Sequence, residues 1–122
     1  MDTNRPVVIK RVPEHLTSRQ ARSFWQEVQP LVTSDRPQLV FDMAPLKQLD
    51  AAGVDLLLRC MTEVMKRDGD LKLAAVSAEA AVILEITRTD RFFEIYETPS
   101  DAAVSFSRSR TSFKHSSSIR AG

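Results

Sequence analysis

Apolar residues along this chain fall into two alternating rhythms. Val7-Val8-Ile9-Lys10-Arg11-Val12 is a short β-branched run closed by Pro13, and it predicts a first strand. Thr17-Ser18-Arg19-Gln20 has the spacing of a capping box, with Thr17 as N-cap and Gln20 three positions on. The helix it opens places Ala21, Phe24, Trp25, Val28, Leu31 and Val32 on one face. Pro30 falls inside that pattern, so a kinked or irregular last turn is expected. A polar connector from Thr33 to Pro37 leads to Leu39-Val40-Phe41, ending on Asp42 and Met43, which predicts a buried strand. Beyond a loop, Asp50 opens a second helix whose Val54, Leu57, Leu58, Met61, Val64 and Met65 form one stripe toward a core. Lys66 and Arg67 suit its carbonyl end, and Gly69 is expected to stop it.

The second half repeats the alternation. Leu71 to Val76 predicts a third strand, and Ser77 caps a helix with Glu79 in its first turn and Val82, Ile83 and Ile86 as buried candidates. After a charged turn from Arg88 to Arg91, Phe92, Phe93, Ile95 and Tyr96 predict a short aromatic strand or extended segment. Thr98-Pro99-Ser100-Asp101 starts a last helix with proline at its favoured first position, docking through Ala102, Ala103, Val104 and Phe106. Helices standing between strands imply an α/β fold, a small, mixed, mostly parallel sheet of about four strands with about four helices.

Composition narrows the setting. The 122 residues fit one domain. No apolar run approaches the roughly 20 residues that cross a bilayer, and MDTNRPVVIK lacks the order of a secretory signal. A single cysteine, Cys60, excludes an internal disulfide, so a reducing cytoplasm is the simplest location. With only His15 and His115, no histidine-based metal site is expected. Residues 1–107 carry 13 Lys/Arg against 16 Asp/Glu, a net of −3, and are expected to form the domain. Residues 108–122, RSRTSFKHSSSIRAG, add +4 and are expected to be a disordered basic tail. Four charges are few for an electrostatic patch, so no direct nucleic-acid binding is expected.

Candidate chemistry is sparse. Glycine stands only at 53, 69 and 122, which leaves no phosphate-cradling loop. Cys60 lies on a helix flank and His15 on a distant connector, so no nucleophile has a base beside it; Cys60 is read as a small buried apolar residue. No enzyme activity and no cofactor are expected. FDMAP resembles the strand-end Asp and Met-Pro of phospho-accepting receiver domains, but that chemistry needs an acidic pair closing the first strand to hold a divalent metal. The first strand ends IKRVPE, without one, so Asp42 is read as structural.

The start of the second helix holds the remaining interest. Asp50 is placed to accept from the free amides of Ala52 or Gly53. Gly53 removes a side chain where backbone must come close to something, a neighbouring strand or a partner. At about 100° per residue, Ala52, Leu56, Arg59 and Glu63 share a line opposite Val54, Leu58 and Met65, so Leu56 is expected to face water. Leu56 flanked by Arg59 is then the best candidate for a contact with another protein.

LVFDMAPLKQLDAAGVDLLL resembles the signature of the STAS domain, shared by anti-sigma factor antagonists and the cytoplasmic tails of sulfate transporters. The family pattern is an apolar strand ending in Asp, a loop, then Asp-Ser-Ser-Gly and an apolar helix. Asp42, Asp50 and Gly53 match it, and the likeness continues through KRDGDLKLAAVSAEAAVILEITRTDRFFEIYETPSDAA, covering roughly residues 7–106. It implies a STAS-type fold and a non-catalytic protein-interaction module resembling an anti-sigma factor antagonist. Two departures stand out. Glu14 and His15 occupy the place of a glycine common before the first helix, and the two serines are Ala51 and Ala52. In antagonists of this family the second serine accepts phosphate from the partner kinase, which is taken to release it; Ala52 stands there in this chain.

The resemblance therefore implies a binding face of Asp50, Ala51, Ala52, Gly53, Leu56, Arg59 and Glu63 that cannot be switched at Ala52. The partners it implies are an anti-sigma factor of the serine-kinase type or the ATPase subunit of an ABC-type lipid transporter. A larger STAS scaffold is a third, and a homodimer is left open. Some STAS domains are reported to bind nucleotides, for which no residue here gives independent support.

Overall fold

The computed structural model describes residues 6–108. The basic segment beyond Arg108 that the sequence marks as a tail lies outside the described residues. In chain order the elements are β1 (Val8–Arg11), β2 (His15–Leu16), α1 (Ser18–Val32), β3 (Gln38–Asp42), β4 (Gln48–Leu49), α2 (Ala51–Lys66), β5 (Asp70–Ala74), α3 (Ala78–Ile86), a 3-10 turn (Thr89–Phe92), β6 (Ile95–Tyr96) and α4 (Pro99–Arg108).

The four-stranded sheet runs β1-β3-β5-β6, and every pairing in it is parallel. Parallel neighbours need a crossover, and the helices supply it. The registers Val8↔Leu39, Leu39↔Leu71 and Leu73↔Ile95 carry the pleat across the sheet. Leu39, Phe41, Leu71 and Leu73 point to one face, where they meet Phe24, Val28, Leu57, Cys60, Val64 and Leu84 from α1, α2 and α3. Phe24 and Phe41 meet edge to face with ring centroids 5.5 Å apart, a favoured aromatic geometry. Val40 and Ala74 point to the other face, where Ala102 and Phe106 of α4 cover them.

Among the described residues, that second face holds the one large charged side chain in the interior. Lys72, on β5 between Leu71 and Leu73, is 2% exposed. Its Nζ donates to Ser105 Oγ at 2.7 Å, pairs with Glu94 Oε1 at 3.2 Å and lies 4.2 Å from the centre of the Phe106 ring. Burial of the ammonium is thus matched by partners, as a charge in a core requires.

Several local expectations need correction. α1 carries Pro30 inside it and runs to Val32, and Thr33 closes it by donating its N–H (3.1 Å) and its hydroxyl (2.8 Å) to Gln29 O. Thr17 does not cap the α1 amides with its side chain; its Oγ1 donates to Gln20 Oε1 at 2.6 Å instead. α2 ends through Asp68, whose φ of 60° is left-handed, with Asp68 N donating to Met65 O and Gly69 N to Val64 O. Gly69 serves another purpose: a Cβ there would strike the Pro37 carbonyl. On α3 the buried residues are Ala80 and Leu84, while Val82 and Ile86 face outward. AAVIL is apolar on every face of a helix, so its periodicity cannot say which side packs. The Phe92 region is a 3-10 turn rather than a strand, and only Ile95–Tyr96 joins the sheet. Val104 of α4 is exposed, leaving Ala102 and Phe106 to dock that helix.

A small second sheet, invisible as an apolar run, pairs His15 with Gln48 and Leu16 with Leu49 in parallel. It braces the chain just before α1 against the chain just before α2. Both helices therefore start from one place.

Candidate functional site

Asp50 precedes α2 in extended conformation, as an N-cap does, and its Oδ1 accepts from Gly53 N at 3.1 Å. Its Oδ2 lies 3.3 Å from the backbone nitrogen of Ser18, the first residue of α1. One carboxylate thus receives a free amide from each of two helix starts, where partial positive charge favours an anion. Asp50 and Ala51 are exposed at this edge and Ala52 is half-buried.

Gly53 is turned inward. A Cβ there would run into the carbonyl of Leu16 and crowd the side chain of Leu49, so the missing side chain makes room for β2 and β4. Of the two readings of this glycine, close internal packing accounts for it, and Gly53 is buried rather than offered at the surface.

Leu56 is a clearer correction. Expected to face water, it is 5% exposed and part of the main core. The apolar stripe identifies one covered side of α2, the side on the sheet. α1 lies along a second flank and takes Leu56 out of solvent, with Trp25 packed against the same core. Met65, placed in the stripe by its spacing, is 58% exposed beyond the reach of that cover.

Arg59 is exposed, and its guanidinium carbon sits 4.0 Å from the centre of the Trp25 ring. Arg22 and Trp25 of α1 and Ala52, Asp55 and Arg59 of α2 border a groove of about 560 Å³ floored by Leu56. Glu63 lies a turn beyond it and is engaged along its own helix, with Arg67 Nη1 at 2.9 Å and Lys66 Nζ at 3.4 Å. The hydrogen bond from Arg67 holds the Glu63 carboxyl below its ordinary value. Of the residues singled out from sequence, Asp50, Ala51, Ala52 and Arg59 share one surface. Leu56 and Gly53 support it from beneath, and Glu63 is set apart. Arg22, Trp25 and Asp55 join it without any local signal, because the groove exists only once two helices pack together.

Cys60 is fully buried, and loss of solvent pushes its thiol up to about 12 despite the opposing charge of Arg59. Asp42 Oδ1 accepts from Ala44 N at 3.0 Å, closing the turn after β3 as a structural aspartate does. Among the described residues no group of three or more His, Cys, Asp or Glu is placed to hold a metal ion. No described helix is long and apolar enough to cross a membrane.

A sequence model of the STAS domain matches residues 1–102. Among solved structures, a Thermotoga maritima protein described as a candidate anti-sigma factor antagonist superposes with a TM-score of 0.75 at 20% identity, covering 88% of this chain and 90% of that one. The STAS domain of a SulP transporter from Vibrio cholerae superposes with a TM-score of 0.69 at 12% identity, covering 89% and 88%. An anti-sigma-factor antagonist (STAS) domain protein from Planctomyces limnophilus gives 0.69 at 17% identity, covering 75% and 80%. At such identities the likeness is one of fold. No curated protein sequence matches the chain.

Proposed function

The chain belongs to the STAS domain family, and from that premise we propose that it is a non-catalytic interaction module of the anti-sigma factor antagonist kind, docking a partner at the start of α2. The observation that supports this reading most is the Asp50 carboxylate, which accepts from Gly53 N and Ser18 N and so fixes the exposed first turn of α2 against α1. A rigid edge loses little freedom on binding, and that saving favours association. Because Ala51 and Ala52 carry no hydroxyl, the face keeps one charge state where phosphorylation elsewhere in the family would add about −1.5 to −2 charges.

The partner proposed is a serine-kinase anti-sigma factor in the cytoplasm. A second reading, a constant subunit beside the ATPase of an ABC-type lipid transporter or within a STAS scaffold, is favoured by the same two alanines, since a permanent assembly needs no release step. To test the docking edge, the partner is co-purified with the chain and its affinity measured against Ala51→Tyr, which crowds the edge without entering the core. Strong weakening is expected, and full binding by the variant sinks the reading. Intact mass after incubation with that partner and ATP is expected to stay unchanged; stoichiometric phosphorylation coupled to release refutes the idea of a fixed face. Partner identity then separates the kinase from the transporter.

A further inference from the structure

The groove between α1 and α2 carries two guanidinium groups, and neither meets a carboxylate among the described residues. Lys10, Arg11, Lys66, Arg67 and Lys72 each pair with a carboxylate, whereas the guanidinium groups of Arg22 and Arg59, like the side-chain charges of Arg19, Arg36, Lys47, Arg88 and Arg91, form no ion pair and donate no side-chain hydrogen bond among the described residues. Arg59 is nevertheless held in place, because its guanidinium carbon lies over the Trp25 ring, 4.0 Å from its centre. Stacking uses the face of a guanidinium and leaves the N–H donors on its edge available, and those donors match a carboxylate two at a time. The side chain has therefore already given up much of the rotamer freedom that binding would otherwise take from it.

Charge supports the same conclusion. Residues 1–107 carry a net −3, yet among the described residues Asp55 is the only acid bordering this groove, against Arg22 and Arg59. The groove is a cationic spot on an acidic domain. Ala21 and Ala52 are short walls, so no described side chain fills the space, and Trp25 offers apolar surface to the stem of an incoming residue. Through Ala52 the groove is continuous with the exposed edge at Asp50 and Ala51.

We infer that the α1–α2 groove is the specificity pocket of the docking face, taking an aspartate or glutamate side chain of a partner polypeptide between Arg22 and the Trp25-stacked Arg59. The inference rests on the docking reading above and adds what the partner must present. An acidic anchor enters the groove, and the neighbouring partner backbone runs over Ala51.

A displayed peptide library panned on the full chain tests it. The selected peptides are expected to share an Asp or Glu, and changing that residue to Asn or Gln should weaken binding roughly tenfold or more, as loss of a charge-assisted interface pair does. Arg22→Glu and Arg59→Glu should each weaken binding to the same degree, and the Arg59 Nε–H and Trp25 indole N–H resonances should shift on binding. Peptides without a shared acid, peptides indifferent to both reversals, or no selected peptide at all overturn the inference. So does inorganic phosphate competing at those resonances as tightly as the peptides bind, which marks a free-anion site instead. If indifferent peptides are still lost with Ala51→Tyr, the docking edge stands and the groove alone is rejected; if that variant also leaves them bound, both fall.

Discussion

The carboxylate of Asp50 lies 3.3 Å from the backbone nitrogen of Ser18, 32 positions earlier in the chain, while it caps its own helix at Gly53. The contact makes one side chain responsible for the starts of two helices. Asp50→Ala should then cost about 1–2 kcal/mol, the upper part of the range for losing an N-cap, and Asp50→Asn less. Urea denaturation reads the cost. Hydrogen exchange at both the Ser18 and Gly53 amides should quicken in the alanine variant, and quickening at Gly53 alone would reduce Asp50 to an ordinary cap.

Leu56 sits between α2 and the flank of α1, so its truncation should behave as a core change. Leu56→Ala is expected to cost about 2–5 kcal/mol. Leu56→Asp, which buries a carboxylate without a partner, should leave the domain unfolded or molten at room temperature. Circular dichroism and urea melts distinguish this from a surface position, where Leu56→Asp would melt like the parent.

Lys72 fills space between β5 and α4 as well as carrying charge. Lys72→Ala should cost about 2–5 kcal/mol through the hole it leaves. Lys72→Met refills that hole, and the Glu94 side chain, 43% exposed, keeps its access to water. Most of the loss should therefore be recovered, as happens when a buried ion is replaced by an apolar residue of similar volume. If the methionine variant is as unstable as the alanine one, the ion pair outweighs the packing.

Asp70 gives a dependence on pH. Burial raises its carboxyl above the ordinary 3.8, and the Lys72 charge only partly offsets the shift. The unfolded chain releases this proton near 3.8 and the folded one at higher pH, so between the two values the folded state holds more protons and stability falls as pH rises. Asp70→Asn removes this component. The stability of the Asn variant relative to the parent should rise with pH from about 3.8 upward and level off above the folded value. A flat or falling difference in urea melts taken across that range contradicts the assignment.

Elements that announce themselves by local chemistry were legible in the sequence. Asp50 and Ser77 cap the helices their positions predict, with Ser77 Oγ accepting from Ala80 N at 3.1 Å, and Thr98-Pro99 opens α4 with Thr98 Oγ1 accepting from Asp101 N. The apolar runs at Leu39 and Leu71 became the two central strands. Features made by two distant segments were not legible. Periodicity tells which residues of α2 share a face but not how many faces are covered, so Leu56 and Met65 exchanged places. Lys72 alternates with Leu71 and Leu73 as a solvent-facing residue would, and only the arrival of α4 buries it. His15–Leu16 and Gln48–Leu49 are too short to show a rhythm, yet they decide why position 53 must be glycine. The groove of Arg22, Trp25 and Arg59 depends on the packing of α1 against α2, which no single stretch encodes.

The parallel ladders also set an order of assembly. A chain emerging from the ribosome exposes β1 before β3 exists, and no strand of the main sheet can find its neighbour until a helix between them has also emerged. Everything that joins Asp50 to Ser18 lies upstream of β5, whereas α4, which seals Lys72, follows every other described element. Lys72 therefore leaves the ribosome before the helix that covers it, and its burial must wait for α4.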